Sequence, residues 1–426
     1  MIILIGTLVG SGLNYIIRLM IARHYNPSGY GLFSIGFAIF NVSIAISVLG
    51  LNEGTTRWIS KNTNQRRMKG IILSSLKITI PASILISGLI FLFSNKISLL
   101  IGEPQLLNIL KLLSIGIPFG VLAQIYVGSI RGLKNTVYKI YVYDISWPIL
   151  RLIFISIIIF FGYSLDGIAI SYSLGITITS LISFYLLNKI LPFNKIKSLH
   201  FPKKKLLSFS WPLMISSILI LAVSWMDIFM LGFLKTSKEV GIYNAALPTS
   251  SSLIFILYSF KYILLPESTD LLHKNKIKKL QNIYQLIVRL IFLISLPMFL
   301  IMVIFPSNIL EVFFGNVFSV GGPTLAILSV GYFYASIVGP TGDLLISSGK
   351  TKFFMITFVI IATINFIINF LLIPTLSYYG AAIALTSSFI VGWSFSIFLI
   401  HREFKIIPFK KNLIKPLYIG LIVSMP

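Results

Sequence analysis

Uninterrupted apolar runs of about 20 residues, each carrying no charge or one, recur along this 426-residue chain and limit its fold more than any other feature. At about 1.5 Å per residue, such a run crosses the hydrocarbon core of a bilayer as a helix. Backbone groups facing lipid must be bonded internally, so only helices or a closed barrel can span. A barrel is written as alternating strands of about ten residues, and these runs do not alternate. Only 11% of the residues are charged, against about 25% in a soluble domain, which excludes an ordinary globule. The expected fold class is an all-α polytopic membrane protein.

Glycine, proline, asparagine and charge clusters bound the runs. They predict helices over 1–22, 33–52, 71–93, 106–128, 145–162, 167–188, 211–233, 241–265, 286–306, 322–346, 353–374 and 380–400, which is twelve full spans. A thirteenth begins after Lys415, but the residues left to Pro426 are too few to cross, so a truncated span or an interfacial stub is expected. Met1 opens directly into apolar sequence, and no cleavable signal peptide is expected.

The cations set the orientation. Loops after the even-numbered spans hold 25 of the 35 Lys and Arg residues, whereas loops after the odd ones hold only Arg23, Lys96, Lys235 and Lys238. The positive-inside rule therefore places the amino terminus in the cytoplasm. The net charge of +24 reads as a topology signal on an anionic inner leaflet, not as a nucleic-acid footprint. With no cysteine, disulfides and Cys-ligated metals are excluded, and His24, His200, His273 and His401 form no metal-binding spacing. No loop is long enough to hold the extramembrane groups that a membrane glycosyltransferase or polymerase would need.

Three segments recur at an offset near 210 to 217 residues. "GYGLFSIG" from Gly29 lies over "EVGIYNAA" from Glu239, "RGLKNTVYK" from Arg131 over "SSGKTKFF" from Ser347, and "DGIAIS" from Asp166 over "YGAAIA" from Tyr379. Each sits at the same place in its set of six spans, which indicates a parallel duplication. The expected organisation is an N-lobe over 1–188, a basic cytoplasmic linker over 189–209, a C-lobe over 210–400, and a segment over 401–426 holding the incomplete thirteenth span. Two pseudo-symmetric six-helix lobes would then surround a central cavity.

Six cations fall inside the predicted spans: Arg18, Lys77, Lys111, Arg151, Lys261 and Arg289. A charge at the bilayer centre costs roughly 3 kcal/mol on insertion scales, so it faces a cavity, pairs with an acid or snorkels. Lys77, Lys111 and Arg289 lie near span ends and can snorkel. Thr7, Ser11, Asn14 and Arg18 form one stripe along the first helix, read as a cavity lining, with a polar helix seam as the bland alternative. Arg151 shares a face with Asp144 across Pro148, so it is either a substrate contact or a neutralised charge. In the second lobe Ser224 lines a stripe with Ser217 and Asp227, Asn365 and Asn369 are helical neighbours, and Asp343 lies inside the tenth span. Asp227 and Asp343 can serve as counter-ions or hold a coupling Na⁺ or H⁺; no other cofactor is expected. "SSGKT" at Ser347–Thr351 ends like a phosphate-binding loop, but the glycine that motif requires is Leu344, so no ATP site is expected.

"NYIIRLMIARHYNPSGYGLFSIG" (Asn14 to Gly36), "LGLNEGTTRWISK" (Leu49 to Lys61), "SIRGLKNTVYK" (Ser129 to Lys139), "MDIFMLGFLKTSKEVGIYNAA" (Met226 to Ala246) and the segment from Gly342 to Pro374, followed by "YYGAAIA", carry a resemblance. Together they resemble polysaccharide-export flippases of the multidrug, oligosaccharidyl-lipid and polysaccharide exporter superfamily. The resemblance implies a MATE-like fold and translocation of a lipid-linked oligosaccharide, on a polyprenyl or dolichyl phosphate or diphosphate, from the cytoplasmic to the outer face by alternating access. It implies that Arg18 and Lys261 hold the phosphate and that Arg57 meets it at the inner mouth, with Arg151 as a further candidate. Pro248, Gly339 and Pro340 are candidate hinges.

The expected role is therefore a transporter and not an enzyme, serving cell-surface glycan synthesis as a monomer in a prokaryotic cytoplasmic membrane. Its partners would be the lipid-linked substrate, membrane lipids and glycan polymerase or transferase machinery, with no nucleic acid. A cation-coupled multidrug or small-molecule exporter of the same fold is the alternative; the excess of intramembrane cations over acids favours an anionic substrate. Alkaline phosphatase fused after Lys238 should be active and after Lys197 inactive. The reverse pattern would invert the topology.

Overall fold

The computed structural model describes residues 2–193, 195–199, 201–274 and 276–408, and no β-strand occurs among them. In chain order the helices are α1 (Ile2–Val48), α2 (Leu51–Ser60), α3 (Gln65–Ile101), α4 (Leu106–Gly132), α5 (Thr136–Lys139), a π-helical turn (Ile140–Ser146), α6 (Trp147–Phe160), α7 (Leu165–Ile190) and α8 (Lys203–Leu234). They continue as α9 (Ser237–Ser251), α10 (Ile254–His273), α11 (Ile277–Ile304), α12 (Pro306–Phe314), a 3₁₀ turn (Asn316–Gly321), α13 (Gly322–Val338), α14 (Pro340–Ser347) and α15 (Thr351–Phe404).

Ten helical stretches among the described residues are long and apolar enough to cross a membrane. Two of these, of 43 and 54 residues, far exceed one crossing, and each contains a single non-helical residue, Asn26 at φ 60° and Ser377 at φ 52°. Asn26 precedes Pro27, whose ring bars the preceding residue from the helical region. The loop predicted over 23–32 is thus helical on both sides of one kink. Conversely, the predicted span 241–265 is interrupted between α9 and α10, and the span 322–346 breaks at Gly339 between α13 and α14. These breaks adjoin the prolines and glycine singled out as hinges. α12 was not expected, and the predicted thirteenth span lies outside the described residues.

Packing divides the chain into two compact units, Met1–Gly241 and Ile242–Pro426. The boundary falls beyond the linker that composition marks, because α8 packs on α1, α2 and α3. In the first unit α4 is central, packed against α1, α2, α3 and α7. Its sequence explains why: Gly116 and Gly120, then Gly128 and Gly132, are two small-residue pairs four apart, which let helix backbones approach where lipid offers no hydrophobic drive. Thr56 Oγ1 donates to Gly128 O at 2.8 Å, and Arg131 grips Glu53 with two hydrogen bonds of 2.8 and 3.2 Å, tying α4 to α2.

In the second unit α13 packs against α10, α11, α12 and α15. Phe299 and Phe333 stack with ring centroids 4.2 Å apart, and the buried Tyr284 hydroxyl bonds to Thr341 Oγ1 at 2.7 Å. Many buried hydroxyls elsewhere bond back to the carbonyl one turn earlier, as Ser47 does to Ser43 O at 2.7 Å and Ser329 to Leu325 O at 2.7 Å. Without water, this is the nearest acceptor available to them.

Two repeat-related glycines meet directly inside the first unit. A Cβ on Gly31 would collide with Ser237 O and come within 2.8 Å of Gly241 N, while a Cβ on Gly241 would collide with Pro27 O. Gly31→Val should therefore lower stability by about 1–3 kcal/mol and reduce the melting temperature, whereas Gly12→Ala, which meets nothing within 4 Å, should leave it unchanged. Thermal unfolding in detergent checks both.

Candidate functional site

The first unit builds a cationic cluster from four elements. α1 supplies Asn14, Arg18 and Tyr30, the π-helical turn Tyr143, α6 Trp147 and Arg151, and α7 Tyr172. Arg151 is its centre and is only 3% exposed. One guanidinium nitrogen donates to Asn14 Oδ1, Nε reaches Trp147 O at 3.5 Å, and the Tyr172 hydroxyl is a further partner. The guanidinium also lies 4.3 Å from the Trp147 ring centroid and 4.9 Å from that of Tyr172. Such faces attract a cation without neutralising it.

Local sequence explains this geometry. Trp147 and Arg151 are one helical turn apart, which lets the guanidinium fold over the ring. A Cβ on Gly10 would strike Asp144 O, so only glycine lets α1 lie against the π-helical turn. That contact sets Asn14, one turn further on, beside Arg151. Asn14 is held from below by Nδ2 donating to Gly10 O at 2.8 Å, which directs its oxygen outward. π-helical insertions often mark functional positions.

Arg18, half-buried on the same stripe as Ser11 and Asn14, hydrogen-bonds with the buried Tyr30 hydroxyl. It is also near enough to Arg151 for their like charges to interact. Among the described residues no carboxylate forms an ion pair with either arginine. Of the two readings of Arg151, neutralisation by Asp144 has no ion pair behind it: Asp144 of the π-helical turn pairs instead with Lys139, the last residue of α5, at 2.6 Å. Two arginines, one wholly buried, thus meet without a described counter-ion.

The remaining sequence candidates have surroundings of their own. Arg57 is exposed on α2, with its guanidinium 3.9 Å from the Phe209 ring centroid. Ser224 is exposed on α8 and bonds back to Ile220 O at 2.9 Å, while Asp227 is buried one turn on. In the second unit Lys261 pairs with Asp343 at 3.3 Å, with side chains 42% and 5% exposed. Asn365 and Asn369 are fully buried and joined by a 3.1 Å hydrogen bond. Lys77 and Arg289 are exposed, and Lys111 Nζ lies 5.6 Å from the Phe91 ring centroid. The aromatic residues around Arg151 were not expected; the Trp147 to Arg151 spacing was the one readable sign of them. No group of His, Asp or Glu among the described residues could hold a metal.

Residues 1–266 match the family described as polysaccharide biosynthesis protein, more than half of the chain and all of the cationic cluster. The chain belongs to this family. Residues 212–371 also match the MatE family. The chain is 23% identical to the probable low-salt glycan biosynthesis flippase Agl15 of Haloferax volcanii, over 91% of this chain and 80% of that protein. Among solved structures it resembles the lipid II flippase MurJ in an inward closed conformation, with a TM-score of 0.77 at 14% identity, covering 98% of this chain and 96% of that one. An inward-facing multidrug resistance MATE transporter of the MOP superfamily matches with a TM-score of 0.77 at 17% identity, over 92% and 95% of the two chains. These likenesses show a MATE-like fold, and the polysaccharide biosynthesis family places the protein among multi-pass membrane transporters of the flippase type.

A charge kept for function and one kept for structure predict different orders of stability. Asn14→Leu strips the acceptor from a buried guanidinium and should cost about 1–3 kcal/mol. Arg151→Met removes the buried charge itself and should cost less or even stabilise. Thermal unfolding of both variants in detergent would show the order, and Arg151→Met as the worse of the two would mark Arg151 as structural.

Proposed function

We propose that the protein moves a lipid-linked oligosaccharide from the cytoplasmic to the outer face of the membrane by alternating access, for cell-surface glycan synthesis. The observation that carries this reading is the pair Arg18 and Arg151, close enough to interact, Arg151 buried, and neither in an ion pair with a described carboxylate. A phosphate or diphosphate supplies the missing negative charge. Arginine suits its oxygens through paired N–H donors, and such charge-assisted bonds are strong where the dielectric is low. Asn14 and Tyr172 orient the Arg151 guanidinium, and Tyr30 orients Arg18. Lys261 has part of its charge offset by Asp343, so it contributes less to phosphate binding in that state than the two arginines. Arg57, exposed on α2, meets substrate as it arrives from the cytoplasm.

A relative that bears the name of a glycan biosynthesis flippase and a structural neighbour that is a lipid II flippase support this substrate class. A cation-coupled exporter is the second reading, favoured by the MatE match and by the buried Asp227.

In proteoliposomes, the wild type should flip a fluorescent lipid-diphosphate oligosaccharide. Arg18→Ala and Arg151→Lys should each reduce the rate about ten-fold or more, since losing one charge-assisted contact is worth about 1.5–3 kcal/mol. Lys77→Gln should leave the rate unchanged. Expulsion of a cationic dye that depends on Asp227, with no movement of the lipid-linked sugar, would transfer the function to the exporter reading.

A further inference from the structure

Away from the arginine cluster, the first unit carries a groove of about 580 Å³ lined by Leu49, Lys204, Leu207, Ser208, Trp211 and Met214. Five of these residues, Lys204, Leu207, Ser208, Trp211 and Met214, fall on one face of α8, each three or four residues from another of the set. From Lys204 to Met214 that face runs about 15 Å, which is one leaflet of hydrocarbon. Its upper end is cationic, with Lys203, Lys204 and Lys205 exposed in the first turn of α8. Below them the lining is apolar yet open, with Trp211 60% exposed.

The three lysines have no described counter-charge. The first turn of α8 contains no acid, and among the described residues none of the three forms an ion pair. Lys205 is turned instead onto the Trp58 ring, 4.9 Å from its centroid. They also crowd the positive end of a helix dipole, where cations are disfavoured.

The groove wall is rigid. Leu49 and Gly50 are both left-handed, at φ 53° and 68°, and turn the chain so that Leu49 meets α8. A Cβ on Gly50 would lie 2.7 Å from Ser210 O and 2.9 Å from Met214 N, so the turn is seated directly on the helix. Upstream, the linker is strapped to α3: Lys69 Nζ donates to Ile196 O at 2.6 Å, Ser74 Oγ to Phe201 O at 2.9 Å, and Leu199 N to Arg66 O at 3.0 Å. The start of α8 is thereby fixed, and the groove is pre-formed.

We propose that this groove binds an anionic phospholipid of the cytoplasmic leaflet, with an acyl chain along Leu49, Leu207, Trp211 and Met214 and the phosphate on the lysines of the first turn of α8. Charge complementarity selects the occupant. An apolar trough of leaflet length ending in unpaired cations fits a ligand that is hydrocarbon at one end and anionic at the other. A zwitterionic lipid would leave the lysines uncompensated. The site is independent of the translocation reading, because none of its residues belongs to the arginine cluster.

The test reconstitutes the full chain in phosphatidylcholine nanodiscs and reads tryptophan quenching by brominated lipid, with Trp211→Phe subtracted to isolate Trp211. Brominated phosphatidylglycerol at low mole fraction should quench Trp211 at least about five-fold more effectively than brominated phosphatidylcholine. Lys204→Gln, at the lysine that lines the groove, should weaken that preference by about five-fold, and loss of all three lysines should abolish it. All three positions are exposed, so Lys204→Gln alone, with an unchanged melting temperature, controls for folding. Equal quenching by the two lipids, or a preference that survives loss of the lysines, would overturn the proposal. Relief of quenching by polyprenyl phosphate but not by unlabelled phosphatidylglycerol would assign the groove to the substrate's tail, and relief by inorganic phosphate would reduce it to an anion site; both outcomes also overturn it.

Discussion

In hydrocarbon, a polar group without a partner inside the protein has none at all, and the interior of each unit follows from that constraint. It makes the backbone helical. Many buried hydroxyls turn back to their own helix, as Ser47 and Ser329 do. Helix packing then rests on small residues, and the glycine pairs of α4 bring α2 close enough for Thr56 to reach the backbone across the seam. The same pressure shapes the treatment of charge. Glu53 and Arg131, Lys139 and Asp144, and Lys261 and Asp343 satisfy one another.

Arg18 and Arg151 depart from that pattern. Asn14, Tyr172 and the Trp147 carbonyl hydrogen-bond with Arg151 and Tyr30 with Arg18, while aromatic faces cushion the Arg151 guanidinium. Hydrogen bonds and ring faces hold a cation in place but leave its charge standing. Two neighbouring arginines without a described ion pair are the ground on which an anionic ligand is proposed for this site. The first-turn lysines of α8 express the same logic at the membrane surface, where the anion would be a component of the leaflet.

Much of this was legible in the sequence. Run length and charge density dictate helical spans, and the lysine distribution marks the loops. The stripe of Ser11, Asn14 and Arg18 announces a polar face on α1, and the repeat at Gly31 and Gly241 corresponds to two backbones in contact. Other features were hidden. Asp144 and Arg151 share a helical face two turns apart in sequence, but a π-helical turn holds Asp144, which pairs with Lys139 instead. The kinks in α1 and α15, the breaks before α10 and α14, and the short α12 were read as loops or as continuous spans, because hydropathy averages over windows longer than these features.

By itself, the sequence determined the fold class, the approximate positions of the apolar segments and the inventory of intramembrane charges, because transfer from water to lipid depends on composition over about 20 residues. Tertiary structure decided which charges are paired and which are not: Lys261 with Asp343, Lys139 with Asp144, Arg151 with a ring of neutral groups. It also assigned α8 to the first unit. Pairing depends on ångström distances between residues far apart in the chain, set by glycine contacts and a π-helical turn, and neither is encoded in a hydropathy profile.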